Sequence, residues 1–321
     1  MTYVYATSRY GYLKDAVLAS LFQMQMPTIH TNFRSGELTR EGFPDGESYH
    51  KINPSEVENN DVVIIGGTVD DRQTLELFDM ACSVIEHGAK SLTLVIPFFG
   101  YSTMEREVKQ GEIVKAKTRA ILLSAIPRAV FGNKIMIVDL HQDGVLHYFE
   151  GGVRTVHIYG KPLIMDICKT VRGESIRDRN FVLGSTDAGR AKWIESLAND
   201  MGVDCAIIIK RRKSGTETEI AGINADVKGK DVIIYDDMIR TGGSLIKAAG
   251  AYKAAGAEDI YAVATHGVLP GDSILKLYDS KLFKKVVTTD THPGVFDMPI
   301  RPSKPFLEIR SIATVIAKNI F

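Results

Sequence analysis

Short apolar runs alternate along the chain with longer stretches in which apolar residues recur at helical spacing. The runs at 62–65, 92–96, 135–138, 181–183, 206–209, 232–235 and 261–264 are nearly unbroken by polar residues. That pattern predicts strands of a sheet buried on both faces. The intervening pieces at 73–87, 116–125, 190–201 and 245–255 place apolar side chains every three to four residues, which predicts helices. Strand and helix in alternation predict an α/β chain with a mainly parallel sheet flanked by helices.

The pattern also repeats. Residues 88–95 resemble 256–263: both open on Gly and Ala (Gly88, Ala89; Gly256, Ala257), and each lies behind a helix that follows an Asp-led strand, at Asp61 and Asp231. The two halves read as one unit used twice. A length of 321 residues points the same way, because single cores stop growing at roughly 250–300 residues. Tyr159, Gly160, Lys161 and Pro162 form a turn signal between the halves, so the expected domains are 1–158 and 159–321.

Charge changes the picture mainly by exclusion. The 39 basic and 39 acidic side chains cancel, so bulk charge indicates no nucleic-acid partner. Cys82, Cys168 and Cys205 are few and widely spaced, offering neither a disulfide framework nor a zinc pair. No apolar span approaches the ~20 residues of a membrane helix, and no basic leader opens the sequence. The expected location is cytoplasmic.

Candidate chemistry concentrates after the run at 232–235. That run leads into Asp236 and Asp237, then Met238, Ile239, Arg240, Thr241, Gly242, Gly243 and Ser244, where a helical pattern resumes. Two carboxylates at the carboxyl end of a strand can accept hydrogen bonds from vicinal hydroxyls. Glycines and hydroxyls opening a helix can cup a phosphate against the helix N-terminus. Together they read as a cradle for a 5-phosphorylated ribose. The same residues also read as a strand, an acidic turn and a capped helix.

This segment resembles the pentose-phosphate loop shared by type I phosphoribosyltransferases and ribose-phosphate pyrophosphokinases. The second family's pattern is matched further, and in order, by Phe43, Pro44, Asp45, Gly46 and Glu47; by Pro97, Phe98, Phe99, Gly100 and Tyr101; by Asp139, Leu140 and His141; by Lys210, Arg211 and Arg212; and by 265–269. The resemblance implies two tandem type I phosphoribosyltransferase-like domains and transfer of a diphosphoryl group from MgATP to ribose 5-phosphate. It implies that Phe43 stacks on the purine while Asp45 and Glu47 accept hydrogen bonds near it, and that His141 and Asp187 hold magnesium (Mg2+), with His141 also at the nucleotide. Lys210 is implied as the catalytic lysine and Arg212 as a contact of the transferred group. Asp236, Asp237 and 240–244 are implied as the ribose 5-phosphate site. The family also implies a homo-oligomer, a dimer or a hexamer, and a proline-bearing stretch at 299–305 that returns the tail to the first domain.

Bland readings stand beside these. Residues 43–47 read as a turn between strands, His141 as a hydrogen-bonded histidine at a strand end, and 210–213 as a solvated basic turn. Asp139 two positions before His141 is expected on the same face of the strand, where it orients the ring.

Two departures stand out. Thr103, Met104 and Glu105 replace the first three residues of the family's Arg, Gln, Asp, Arg series, leaving only Arg106, and a guanidinium contact does not survive that change. Arg240 stands where the family has Asp. These keep open a second reading, a regulatory or binding paralogue of weak or no turnover. A third, a phosphoribosyltransferase acting on a nucleobase, is disfavoured by the duplicated architecture and the Phe43 turn.

Overall fold

The structure, a computed structural model, describes residues 1–24, 32–172, 181–214, 217–298 and 306–320, with only the backbone for 210–214 and 217–221. The chain divides into two compact units, Met1–Tyr159 with Ser311–Phe321, and Gly160–Arg310. The first runs β1 (Thr2–Ala6), α1 (Gly11–Gln23), β2 (Phe33–Ser35), β3 (Leu38–Gly42), β4 (Ser48–Ile52), α2 (Pro54–Val57), β5 (Asp61–Ile65), α3 (Asp71–Glu86), β6 (Ser91–Ile96), α4 (Lys115–Ser124), β7 (Asn133–Val138) and β8 (Arg154–Ile158). The second runs α5 (Lys161–Thr170), β9 (Phe181–Ser185), α6 (Ala191–Met201), β10 (Asp204–Ala206), β11 (Ile208–Ser214), β12 (Glu217–Ile223), β13 (Asp231–Ile239), α7 (Gly243–Ala254), β14 (Ile260–Gly267), α8 (Ser273–Asp279), β15 (Lys285–Thr289) and β16 (Leu307–Arg310). Helix α9 (Ala313–Ile320) follows and belongs to the first unit.

Each unit holds a six-stranded sheet, in the order β2-β1-β5-β6-β7-β8 and β10-β9-β13-β14-β15-β16, with every neighbouring pair parallel. The orders are identical once renumbered. Each unit also inserts one antiparallel hairpin at the same point, β3–β4 and β11–β12. Chain order reverses between β1 and β5 and again between β9 and β13, and ligands of open α/β sheets bind outside the strand ends at such switch points.

The apolar runs fill these sheets for the expected reason. Val62, Ile64, Leu92 and Leu94 pack beneath Leu77, Met80, Ala81 and Val84 of α3 in the first unit. In the second, Ile233 and Val263 pack with Ile194, Leu197 and Met201 of α6, while Ile234 and Ala262 meet Leu245, Ala249 and Tyr252 of α7 on the other face. The buried Tyr252 hydroxyl bonds the backbone of Ser185 and Ala206, fixing α7 against the end of β9.

Three expectations change. The run at 206–209 is not one strand: β10 ends at Ala206, Ile207 donates its N–H to Asn224 Oδ1 at 2.6 Å, and β11 starts a separate hairpin. A continuous isoleucine run hides the break: Ile207 packs with the α6 face of the sheet, Ile208 with the α7 face, and Ile209 is half exposed. The basic stretch that follows is therefore strand rather than loop. Strand β13 also runs beyond 235, carrying both acids inside it. Third, Asp139 has φ 38°, so the chain leaves the strand before His141 and the alternation that would set their side chains on one face ends. The proline stretch at 299–305 lies outside the described residues.

Candidate active site

In the second unit the acid pair sits where the sheet is half open. β9 stops pairing at Ser185 opposite Tyr235, whereas β14 pairs on to Gly267 opposite Ile239. The β9 ladder thus ends before Asp236 and Asp237 while the β14 ladder runs past them, at the switch point. Thr186 crosses that gap, its Oγ1 donating to Asp236 Oδ2 at 3.1 Å. Arg190 Nη2 lies 2.5 Å from Asp237 Oδ2, and both side chains are largely buried. Burial, and then the adjacent Asp237 charge, pushes the Asp236 carboxyl up to about 7 against the opposing pull of Arg190 and Thr186.

The glycine cup follows directly. Gly242 has φ 78° and caps α7, and a Cβ there would lie 2.9 Å from the buried Leu277 side chain, so only glycine fits without strain. Thr241, Gly243 and Ser244 are exposed at the N-terminus of this 12-residue helix, and Arg240 is exposed beside them. Asp187, on the loop after β9, caps the short turn Ala188–Arg190 by accepting the Gly189 N–H on Oδ1 at 2.9 Å. Lys210 and Arg212 lie on β11 opposite Ile220 and Thr218; their side chains are outside the described residues.

In the first unit, residues 43–47 form the tip of the β3–β4 hairpin. Phe43 donates its backbone N–H to the Glu47 carbonyl at 2.8 Å, Asp45 Oδ1 accepts the Glu47 N–H at 3.1 Å, and Phe43 is 51 % exposed. The hairpin is anchored at its base. Arg40 donates to the Ala6 carbonyl, and its Nε lies 3.4 Å from the buried carboxylate of Glu76, which also accepts from Ser8 and Gln73. Gly46 and Glu47 line a cavity of about 720 Å³ with Arg40, His50, Arg72 and Glu76.

The 101–106 segment is held at one end by Tyr101, whose hydroxyl donates to Asp71 at 3.0 Å and whose ring lies under Lys115. At the other end the Tyr148 hydroxyl donates to the Glu105 carbonyl at 2.6 Å. Tyr148 closes the 3-10 turn Asp143–Tyr148 just after His141, so the structure brings the Thr103, Met104 and Arg106 segment to the His141 segment. Met104 and Arg106 are exposed, and Arg106 pairs with Glu105 at 3.4 Å. His141 is half-buried.

Sequence reasoning missed Arg190, Thr186, Tyr148 and His157. Arg190 had a signal: a lone cation directly after the Asp187, Ala188, Gly189 turn. His292, whose local sequence echoes His141, serves the fold, its Nδ1 accepting the Gly294 N–H at 3.0 Å. Among the described residues no group of three or more His, Cys, Asp or Glu could hold a metal ion. Magnesium takes only one or two protein ligands and keeps the rest of its shell as water and phosphate oxygens, whereas zinc wants a closed set of side chains; Asp187 and His141 each offer a single donor within their own unit.

The N-terminal domain of ribose phosphate pyrophosphokinase matches residues 4–126, and the phosphoribosyl synthetase-associated domain matches 199–318. A ribose-phosphate pyrophosphokinase of Helicobacter hepaticus is 33% identical over 282 residues, covering 87% of this chain and 84% of the relative. The chain belongs to the ribose-phosphate pyrophosphokinase family. A second relative of that name, from Pasteurella multocida, is 36% identical over 265 residues, covering 80% of this chain and 79% of its own. The phosphoribosylpyrophosphate synthetase of Mycobacterium smegmatis superposes with a TM-score of 0.80 at 26% identity, covering 99% of this chain and 97% of that one. This is a family of enzymes, and the two parallel six-stranded sheets are its fold. No helix among the described residues is long and apolar enough to cross a membrane.

Proposed function

We propose that this pyrophosphokinase-family chain transfers the β,γ-diphosphoryl group of ATP to the C1 hydroxyl of ribose 5-phosphate. The C1 oxygen attacks the β-phosphorus in line, the bond from that phosphorus to the α,β-bridging oxygen breaks, and AMP leaves with the bridging oxygen. The products are AMP and 5-phosphoribosyl 1-diphosphate; the C1 hydroxyl proton passes to solvent. The observation that carries the reading is the half-open acid pair at the switch point, followed at once by a glycine-capped helix N-terminus.

Asp236 and Asp237 accept hydrogen bonds from the ribose hydroxyls, and Arg190 supplies the counter-charge that lets two adjacent acids persist in a buried place. Residues 241–244 receive the 5-phosphate with backbone N–H groups and hydroxyls, and Arg240 adds a cation at the rim. Phe43 stacks on the base, with Asp45 and Glu47 as acceptors beside it, and Thr103, Met104 and Arg106 form the second nucleotide contact. Lys210 and Arg212 balance charge on the oxygens of the transferred group. His141 and Asp187 would each serve as a magnesium ligand, and the ion when bound would offset phosphate charge. Positioning two reactants this way is worth on the order of 7–11 kcal/mol relative to free encounter.

The test is formation of AMP and 5-phosphoribosyl 1-diphosphate from MgATP and ribose 5-phosphate, beside Lys210→Ala. Equal amounts of both products, lost in the variant, are expected. Absence of AMP despite binding of both substrates overturns the reading in favour of a paralogue without turnover.

A further inference from the structure

We infer that His157 is a positioning residue that clamps the segment carrying His141, an inference that rests on His141 acting at the magnesium nucleotide. His157 lies on β8, the edge strand of the first sheet, opposite Ile137. The last ladder contact there is the Asp139 N–H on the Ile158 carbonyl at 3.0 Å, after which left-handed Asp139 turns the chain off the strand. A segment leaving a sheet this way loses its ladder bonds and needs other partners.

The His157 ring supplies them on both sides of His141. Its Nε2 accepts the backbone N–H of Leu140 at 2.9 Å, one residue before His141. Its Nδ1 lies 3.0 Å from Asp143 Oδ1, two residues after His141, though off the axis of a well-formed N–H bond. An Nε2 that accepts from an amide carries no proton, so the neutral ring holds its proton on Nδ1, toward the Asp143 carboxylate. Burial lowers the imidazole's affinity for a second proton, opposed by Asp143 and Asp139. The ring is packed in turn against Tyr159, with centroids 4.1 Å apart and the planes tilted by 38°, and the His157 side chain is only 8 % exposed. One rigid ring thus spans the residues that flank His141, and its orientation sets where they sit.

Groups that orient a ligand typically change metal affinity by about 10–100-fold when removed. His157→Phe keeps a ring packed against Tyr159 but removes the acceptor, whereas His157→Gln restores an acceptor oxygen at the ε position. Calorimetric MgATP binding is expected to weaken about tenfold in His157→Phe and to recover most of that loss in His157→Gln. Hydrogen exchange at the Leu140 amide is expected to accelerate only in His157→Phe. In the unmodified protein, ring 15N shifts of labelled histidine are expected to report the proton on Nδ1.

A ring proton on Nε2 overturns the inference, whether or not His157→Phe folds, and so does equal MgATP binding by all three proteins. Absence of AMP formation with the binding difference intact counts against the proposed reaction and leaves the clamp standing. Failure of the unmodified protein to bind MgATP overturns both.

Discussion

Two adjacent acids in a buried place repel unless something divides the charge between them. Arg190 faces Asp237, Thr186 faces Asp236, and the Asp236 carboxyl is left near 7. A folded-state value above the ordinary 3.8 means that the folded protein keeps a proton that the unfolded chain has released. This contribution to stability is full below about pH 4 and is lost as pH rises through about 7. Denaturant unfolding across that window is expected to show the decline. In Asp237→Asn the decline ends at lower pH, because the neighbouring charge is gone; in Arg190→Gln it extends higher. Identical profiles in all three proteins would disprove the charge division. The acid pair was legible in the sequence because an apolar run delivers it to a strand. Its partners were not, since Arg190 meets Asp237 only through the parallel pairing of β9 with β13, which no local pattern encodes.

Elements place these residues by where they stop. Because β9 ends before β13 does, one edge of the acid pair is open, and because Gly242 turns left-handed, α7 begins directly beside it. Gly242→Ala therefore combines a left-handed alanine with a Cβ driven into Leu277. It is expected to cost about 1–3 kcal/mol of unfolding free energy and to raise the KM for ribose 5-phosphate more than that for MgATP. Equal changes in the two KM values would argue against a phosphate cup at this turn. The helices 73–87, 116–125, 190–201 and 245–255 emerge within two residues of their expected bounds, because amphipathic spacing is a local signal. The split at Ile207 was illegible: isoleucines 207, 208 and 209 look alike although the first precedes a break and the third is 50 % exposed on a hairpin. Burial on different neighbours leaves no trace in composition.

Across the whole molecule, one topology serves two tasks. The hairpin that carries the Phe43 turn in the first unit occupies the same place in the fold as the hairpin that carries Lys210 and Arg212 in the second. The sequence echo at 88–95 and 256–263 foreshadows this duplication, but the hairpins share no residues that would reveal their equivalence. The first unit is also discontinuous. Helix α9 buries Ala313, Ile316 and Ala317 within it, and Thr314 Oγ1 meets Ser20 of α1 at 3.3 Å, with all of Gly160–Arg310 intervening in sequence. Ile316→Asp, an unpaired charge at a fully buried position, is expected to lower stability by at least about 2 kcal/mol. Hydrogen exchange should rise first in α1 and β8, and an equal rise across the second unit would contradict the division.

That discontinuity matters during synthesis. On the ribosome the first unit emerges first yet waits, with one flank of α1 uncovered, until the entire second unit has been translated. The nascent chain can finish the later unit before the earlier one. Completion of the first unit thereby becomes a report that the second has been made, and a message truncated anywhere between the two leaves a product whose first unit lacks helix α9.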